Sequence, residues 1–167
     1  MCGRRVIGAA TAQTKQVTDS TWRPNVVVAA IVERDGRFLV VEEETADGLR
    51  INQPAGHWEH GETLVQAVVR EALEETAYQI EPRHLLGIYS WQHELREITY
   101  LRFAFVAQVV GHEPTRPLDT GVLRALWLSP EELAREQARH RSPLVHRCVA
   151  DYLAGRRFPL DLLLQLD

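Results

Sequence analysis

The sequence predicts an α+β protein with a mixed sheet, and three observations support this prediction. Two apolar, β-prone runs flank Asp35-Gly36, which is the turn signal of a β-hairpin. A segment with helical periodicity lies in the middle of the chain, between Thr63 and Tyr78. Further helical segments follow the last strand candidate. This order of strands and helices is typical of an α+β architecture.

Length and composition indicate one globular domain. The 167 residues are 45% hydrophobic, and the formal net charge of −4 is spread over interspersed charges. Such a chain can bury a core, and its charge argues against broad binding to nucleic acid or to anionic membranes. No apolar run reaches about 18 residues, so no membrane span is predicted. Cys2 and Cys148 fit no metal or redox spacing, and we interpret them as free thiols of a cytoplasmic protein.

The elements before the central helix are predicted from turn residues and β-prone runs. Residues 1–22 are small and polar without a clear period, so we predict a flexible N-terminal tail followed by one domain over residues 23–167. Pro54 suits a strand end or an edge strand. The predicted strands are 25–33, 37–42 and 51–56, with a loop over 45–50.

After the central helix we predict two long strands that pair with each other, a third strand and two helices. Pro114 and Pro117 mark residues 111–121 as a loop. Ser129-Pro130-Glu131-Glu132 is typical of a helix start, with Ser at the N-cap, Pro at the first helical position and acids in the first turn. The predicted strands are 85–93, 98–110 and 123–128, and the last helix is 144–153.

The central helix begins with a capping signal and carries an apolar stripe. Thr63 suits the N-cap, and Gln66 stands three residues further on, which is the capping-box spacing. At about 100° per residue, four apolar side chains fall on one face. They are Val65, Val69, Ala72 and Leu73.

Three glutamates, Glu71, Glu74 and Glu75, gather on the side opposite to that stripe. Glu71 and Glu75 form a like-charge pair at spacing i, i+4, and the C-terminal half of a helix favours cations. Oxygen ligands that converge from one rigid surface are what a hard divalent cation binds. Two interpretations therefore stand: an ordinary solvated face, or a metal site completed by the preceding loop.

The stretch GHWEHGETLVQAVVREALEETAY, which begins at Gly56, resembles the Nudix box of the Nudix hydrolases. Glu62 follows Gly56 after five residues, and seven residues separate it from Arg70-Glu71-Ala72-Leu73-Glu74-Glu75. Two positions depart from the box, because Ala77 stands where Gly is usual and Tyr78 where an aliphatic residue is usual. A left-handed turn costs Ala roughly 1 kcal/mol, so the departure concerns the helix exit and removes no ligand.

The resemblance implies an α/β/α sandwich and a hydrolase that uses Mg²⁺, or Mn²⁺, to cleave phosphoanhydride bonds. The metal neutralises phosphate oxygens and positions a water for attack on phosphorus. The hypothetical metal ligands are the Gly56 carbonyl, Glu71, Glu74 and Glu75. By the same resemblance Glu71 is the general base and Glu62 supports the acidic cluster, while Arg70 orients the glutamates.

Four residues are candidates for substrate binding. Trp58, Tyr89 and Trp91 can stack on a heteroaromatic ring, or they can pack in the core or on a strand. Arg102 interrupts an apolar strand and needs a partner or a pocket, such as one that holds a substrate phosphate.

Acidic residues outside the helix leave two questions open. Glu42, Glu43 and Glu44 either end a strand in solvent or form a rim of the metal site. Asp119 or Glu113, from the loop near the end of the chain, is a candidate for an additional metal ligand.

Further segments resemble the NudJ-type phosphatases, a Nudix subfamily, over roughly residues 24–160. They are FLVVEEE, NQPAGHWE, ETLVQA, YSWQ, YLRFAF and RSPLV. The similarity implies release of orthophosphate from nucleoside tri- and diphosphates, and from the pyrophosphates of thiamine and its hydroxymethylpyrimidine precursor. The expected partner is a small molecule, and the protein itself is expected to be a monomer or a homodimer.

Alternative functions share these residues. A hydrolase of ADP-ribose or another ADP-sugar, or one that removes oxidised nucleotides, would carry the same box. A ligand-sensing Nudix module would regulate a partner; loss of box glutamates would favour it, and all of them are present. A purely structural role leaves the clustered glutamates unexplained.

Overall fold

Seven strands form one mixed sheet, and helices pack on both of its faces. The computed structural model describes residues 22–93 and 97–166, so the predicted tail lies outside the described residues except for Trp22. The strands are β1 (Asn25–Arg34), β2 (Arg37–Thr45), β3 (Gly48–Asn52), β4 (Ala55–His57), β5 (Tyr78–His93), β6 (Ile98–His112) and β7 (Val122–Leu128). The helices are α1 (Leu64–Thr76), α2 (Pro130–Arg135) and α3 (Leu144–Leu153), with short 3₁₀ turns at Gln137–Arg139 and Leu160–Leu162.

The sheet divides along β1. The strand order is β3-β2-β1-β6-β5, with β4 paired to β1 and β7 paired to β2. β1 pairs with β2 next to their shared turn, at Glu33↔Phe38 and Arg34↔Arg37, whereas further along it pairs with β4. The β3-β2-β7 part and the β4-β1-β6-β5 part therefore separate beyond the hairpin and leave a cleft between β3 and β4.

The hairpin turn is the one that the sequence predicts. Asp35 and Gly36 both have positive φ, 52° and 75°, as a type I′ turn requires. This turn has the same twist as the strands it joins, so it fixes the register of β1 on β2.

Two hydrophobic cores lie on opposite faces of the sheet. One packs α1, through Ala67, Val68 and Ala72, against the sheet. The other packs Leu133 of α2 and Cys148 and Val149 of α3 against the opposite face. The α/β/α sandwich with a mixed sheet is therefore confirmed. No helix in the described ranges combines the length and the apolar character needed to cross a bilayer.

The capping box of α1 is confirmed, and Glu71 is more buried than an ordinary solvated face would make it. Thr63 Oγ1 accepts from the Gln66 amide at 3.0 Å, and Gln66 Oε1 accepts from the Thr63 amide at 2.8 Å. Glu71 is only 8% exposed, so the alternative of an ordinary solvated face is wrong for this residue. The cause is tertiary, because a glycine in the neighbouring strand β4 leaves space for this carboxylate.

The exit of α1 takes the left-handed conformation that glycine usually provides. Ala77 has φ 59°, and its amide donates to the Leu73 carbonyl at 3.0 Å. Alanine therefore adopts the left-handed conformation at the glycine position of the box.

Several predicted strand limits are wrong. β5 begins at Tyr78 instead of residue 85. Bulges at Gln79/Ile80 and Pro82/His84 interrupt the alternation of inward and outward side chains, so the sequence of this stretch lacks the usual strand pattern. Residues 48–50, predicted as loop, belong to β3. The predicted strand 51–56 is in fact two strands, because the chain leaves β2 after Asn52 and joins β1 at Ala55. The limits of α3 and the helix start at Ser129 are confirmed, and Ser129 and Glu132 also form a capping box.

Candidate active site

Arg70 holds the acidic side chains in place. Its guanidinium donates to both carboxylate oxygens of Glu62, at 2.7 and 3.0 Å. It also donates to Glu71 at 2.8 Å, to Glu74 at 3.1 Å and to the His57 carbonyl at 3.0 Å. These hydrogen bonds lower the pKa of Glu62 and raise that of Arg70. One planar cation thus fixes three carboxylates, which is the geometry that an orienting role requires.

Glu71 packs against the backbone of Gly56 in β4. An ideal β-carbon on residue 56 would lie 2.1 Å from Glu71 Cδ, so only glycine leaves room for the carboxylate. Burial raises the pKa of Glu71, the contact with Arg70 opposes this, and the charges of Glu74 and Asp119 raise it further. The same residue that is predicted to offer its carbonyl to a metal therefore also makes space for Glu71.

Glu75 is the most strongly perturbed carboxyl of the cluster. Its Oε2 accepts from the Ala55 amide at 2.8 Å. Burial, together with the nearby charges of Glu71, Glu43 and Asp119, raises its pKa to about 8, although the hydrogen bond from Ala55 opposes the shift. In the absence of a bound cation, the surroundings of Glu75 therefore disfavour its charged form.

An acidic cavity of about 260 Å³ lies beside Glu75 and is also lined by Glu43, Asp119 and Arg141. In the described part of the chain, no three His, Cys, Asp or Glu side chains are already arranged to hold a metal. Two of the predicted ligands, Glu71 and Glu74, accept hydrogen bonds from Arg70 instead. The donors nevertheless fit a hard cation, because they are oxygen atoms and because Glu43 Oε1 is buried with no hydrogen-bond partner among the residues that the structure describes.

A second cavity, of about 180 Å³, occupies the cleft between β3 and β4. Glu43 and Arg141 line both cavities, so the acidic cavity and the cleft adjoin. Arg102 is 6% exposed and lies in the cleft with Trp91. Trp91 stacks on Tyr100 with ring centroids 5.6 Å apart.

The other two aromatic candidates lie away from the cleft. Trp58 lines a separate cavity with the leucines that follow α3, and its indole N–H donates to the Glu62 carbonyl at 2.8 Å. Tyr89 donates its hydroxyl to Asp151 at 2.9 Å and packs in the core beside α3. The structure brings together Trp91 and Arg102, but it does not bring Trp58 or Tyr89 to them.

The acidic residues left open by the sequence separate into two groups. Asp119 lines the acidic cavity, and its amide donates to the Glu74 carbonyl at 3.0 Å. Glu113 instead accepts from Gln79 at 2.7 Å and lines neither cavity. Glu43 and Glu44 line the acidic cavity, whereas Glu42 pairs with two arginines, Arg124 and Arg139.

Among the polar residues of the cleft that sequence reasoning missed, four lie in segments of the subfamily resemblance. They are Asn52, Gln53, Arg141 and Ser142. Gln53 lies behind the cavity wall and bonds to Arg102, while the other three line the cavity itself. A signal was present, since NQPAGHWE and RSPLV, two segments of the subfamily resemblance, contain all four.

Comparisons with known proteins agree with this geometry. The chain matches the NUDIX domain family over residues 21–148. It is 38% identical over 142 residues to Phosphatase NudJ of Escherichia coli K12, covering 85% of this chain and 92% of that protein. Phosphatase NudJ of Shigella flexneri gives the same identity and coverage.

Solved structures show the same relationship. A NUDIX hydrolase from Nitrosomonas europaea superposes with a TM-score of 0.84 at 50% identity, over 86% of this chain and 98% of that chain. A UDP-X diphosphatase superposes with a TM-score of 0.67 at 16% identity, over 86% of this chain and 70% of that chain, which shows a shared fold alone. The protein is therefore a hydrolase and belongs to the Nudix family.

Proposed function

We propose that this protein is a Mg²⁺-dependent phosphatase that releases orthophosphate from nucleoside tri- and diphosphates, or from thiamine-type pyrophosphates, in the cytoplasm. The main observation is that an acidic cavity opens beside a cleft that contains a buried arginine and a stacked aromatic pair. A phosphoanhydride with a ring at its other end has the charge and shape for this pair of cavities. The name of the relative, Phosphatase NudJ, supports orthophosphate as the released group.

Each side chain of the cluster has a role in this proposal. Glu71, Glu74 and Glu75, with the Gly56 carbonyl, would hold the metal, and Mn²⁺ can replace Mg²⁺ at such oxygen ligands. When bound, the metal supplies charge neutralisation and lowers the pKa of a water. Glu71 would accept the proton of that water, and its raised pKa suits a general base. Arg70, fixed on Glu62, would keep the carboxylates in place.

The test compares orthophosphate and pyrophosphate release with Mg²⁺ from nucleoside tri- and diphosphates, thiamine pyrophosphate, ADP-ribose and an oxidised nucleoside triphosphate. We expect orthophosphate only, from di- and triphosphates. Glu75→Gln should abolish release, because the substitution removes a charged ligand with little change in shape. Glu81→Gln is the matched control, since Glu81 is an exposed β5 residue paired with Arg83, and it should retain activity.

Other outcomes would identify the alternatives. Pyrophosphate as the product, or cleavage of ADP-ribose, would contradict the proposal and indicate a pyrophosphohydrolase of another Nudix class. Binding of these compounds without any metal-dependent release would indicate a ligand-sensing module.

A further inference from the structure

The carboxylates reach the cleft at two successive levels of the sheet. Residues that pair across neighbouring strands lie at one level, and levels along a strand are about 3.3 Å apart. β1 lies between β4 and β6 and pairs with both, so each β4 residue has a counterpart in β6 at the same level. Ala55 corresponds to Ala104, Gly56 to Phe103, and His57 to Arg102. Glu75 accepts from the Ala55 amide, and Glu71 packs on Gly56. The acidic cluster therefore meets the sheet at the levels of Ala104 and Phe103.

Arg102 occupies the next level, and the aromatic pair lies beyond it. Tyr100 is two residues before Arg102 in β6, so both side chains lie on the same face of the strand. Trp91 pairs with Tyr100 across β5 and β6 and stacks on its ring. Along the strand direction the order is carboxylates, arginine, aromatic rings. A diphosphate attached to a ring has a matching order of reacting phosphate, remaining phosphate and ring.

Within the described residues the hydrogen-bond partners of the buried Arg102 are neutral, and the carboxylates of Glu75 and Glu43 act on its charge only through space. Its guanidinium donates to Gln53 Oε1 at 3.1 Å and to Asn52 Oδ1 at 3.5 Å, and it contacts the thiol of Cys148. Burial raises the pKa of Cys148, so the thiol stays neutral. Arginine remains protonated even when buried. An anion in the cleft would supply the charge that these neutral partners lack.

Two buried donor groups from residues that line the cleft lack a partner within the described residues. They are Arg102 Nε and Ser142 Oγ, and their side chains belong to residues that are 6% and 7% exposed. The acceptor Glu43 Oε1, from a third residue that lines the cleft, also lacks a partner there. Buried donors are normally satisfied, so two unsatisfied donors beside one cavity indicate an acceptor that arrives with a ligand. Gln53 holds the arginine in place, because its amide N–H also donates to the Val145 carbonyl at 2.8 Å.

We infer that Arg102 and Ser142 bind the phosphate that remains on the product, while the ring of the substrate lies against Trp91 and Tyr100. This inference rests on the proposed function and adds the position of the non-reacting phosphate. A hydroxyl and a guanidinium N–H both donate to phosphate oxygens, and a guanidinium whose hydrogen-bond partners are neutral binds an anion more strongly than the uncharged edge of a ring.

The experiment measures equilibrium binding of two ligand pairs by calorimetry in EDTA: AMP with adenosine, and thiamine monophosphate with thiamine. Within each pair the two ligands differ by the phosphate alone. We expect the wild type to bind the monophosphate of at least one pair at least tenfold more tightly than its parent. Arg102→Met should remove this advantage and leave the affinity for the parent unchanged. Ser142→Ala should reduce it by roughly two- to tenfold, the effect of one hydrogen bond.

Further variants separate binding from folding. Arg102→Lys keeps the charge but not the fork of donors, so it should keep part of the advantage. Arg83→Met removes an exposed arginine of β5 and should change neither affinity. If Arg102→Met fails to fold, as judged by circular dichroism, the inference is tested by Arg102→Lys and Ser142→Ala, each of which should lose part of the phosphate advantage.

Three results would overturn the inference. The first is a wild type that shows no phosphate advantage for either pair. The second is an Arg102→Met protein that loses affinity for parent and monophosphate equally, which would mean that Arg102 binds the ring. The third is full retention of the advantage in Arg102→Lys and Ser142→Ala. Failure of the proposed function is distinct, because it appears as a wild type that releases no orthophosphate.

Discussion

The carboxylate of Glu71 occupies the space that a side chain at Gly56 would fill. A β-carbon on residue 56 would lie 2.1 Å from Glu71 Cδ and 2.2 Å from each of its oxygens. The clash involves the end of a side chain, which can move, and not the backbone of α1. A substitution at Gly56 should therefore displace the carboxylate of Glu71, the proposed general base, while the fold survives.

Gly56→Ala tests this relationship. We expect kcat to fall by about 100-fold, because a displacement of about 1 Å at a reacting group can cost that much. The measurement is orthophosphate release together with thermal unfolding. Gly111→Ala is the matched control, since its β-carbon would meet the Gln79 amide at 2.4 Å, also at the end of a side chain and away from the cleft. Equal activity in both variants would contradict the assignment of Glu71.

The raised pKa of Glu75 predicts how stability depends on pH in the metal-free protein. Its pKa is about 8 in the folded protein against an ordinary 4.5, so between these values the folded state binds more protons than the unfolded state. Stability is therefore present below this range and is lost as pH rises through about 8. Glu71 and Glu43, whose pKa values are also raised by burial, act in the same direction.

Urea denaturation in EDTA at pH 5, 6.5 and 8 measures this dependence. Glu75→Gln should flatten the loss of stability and should be more stable than the wild type at pH 8. Glu81→Gln should follow the wild-type curve. An unchanged slope in Glu75→Gln would show that Glu75 ionises normally in the folded protein.

Arg70 should contribute to both stability and turnover. Arg70→Met leaves Glu62, Glu71 and Glu74 without their shared donor, so we expect a loss of about 1–3 kcal/mol in the free energy of unfolding. Arg70→Lys should recover part of the stability, but its single ammonium cannot reproduce five hydrogen bonds in one plane. We expect kcat to fall more than KM rises in both. Wild-type kcat in Arg70→Lys would show that the charge alone is sufficient.

The aromatic residues should differ in their effects. Trp91→Ala should raise KM by about tenfold, the usual effect of losing one stacked ring. Tyr89→Phe should leave KM unchanged and lower the free energy of unfolding by about 1 kcal/mol, because it removes the hydrogen bond to Asp151. Steady-state kinetics and urea denaturation of both variants provide the comparison. A higher KM in Tyr89→Phe would place the ring of the substrate near Asp151 instead.

Local interactions made much of the chain predictable. The capping boxes at Thr63 and Ser129 join residues three positions apart, and the turn at Asp35-Gly36 depends on its own φ angles. The limits of α3 follow from its apolar pattern and the end of that pattern near Gly155. The spacing of the box glutamates on α1 likewise predicted the acidic cluster, because the period of a helix fixes which side chains are neighbours.

Tertiary structure decided which of the candidate residues meet. The sequence gives no reason to prefer Trp91 over Tyr89, but strand pairing places Trp91 opposite Tyr100 in the cleft, while Tyr89 reaches Asp151 of α3. Arg102 and Ser142 are far apart along the chain and lie together only because β6 and the segment before α3 border one cavity. Such contacts depend on packing between distant segments, whereas a single sequence records only local pattern.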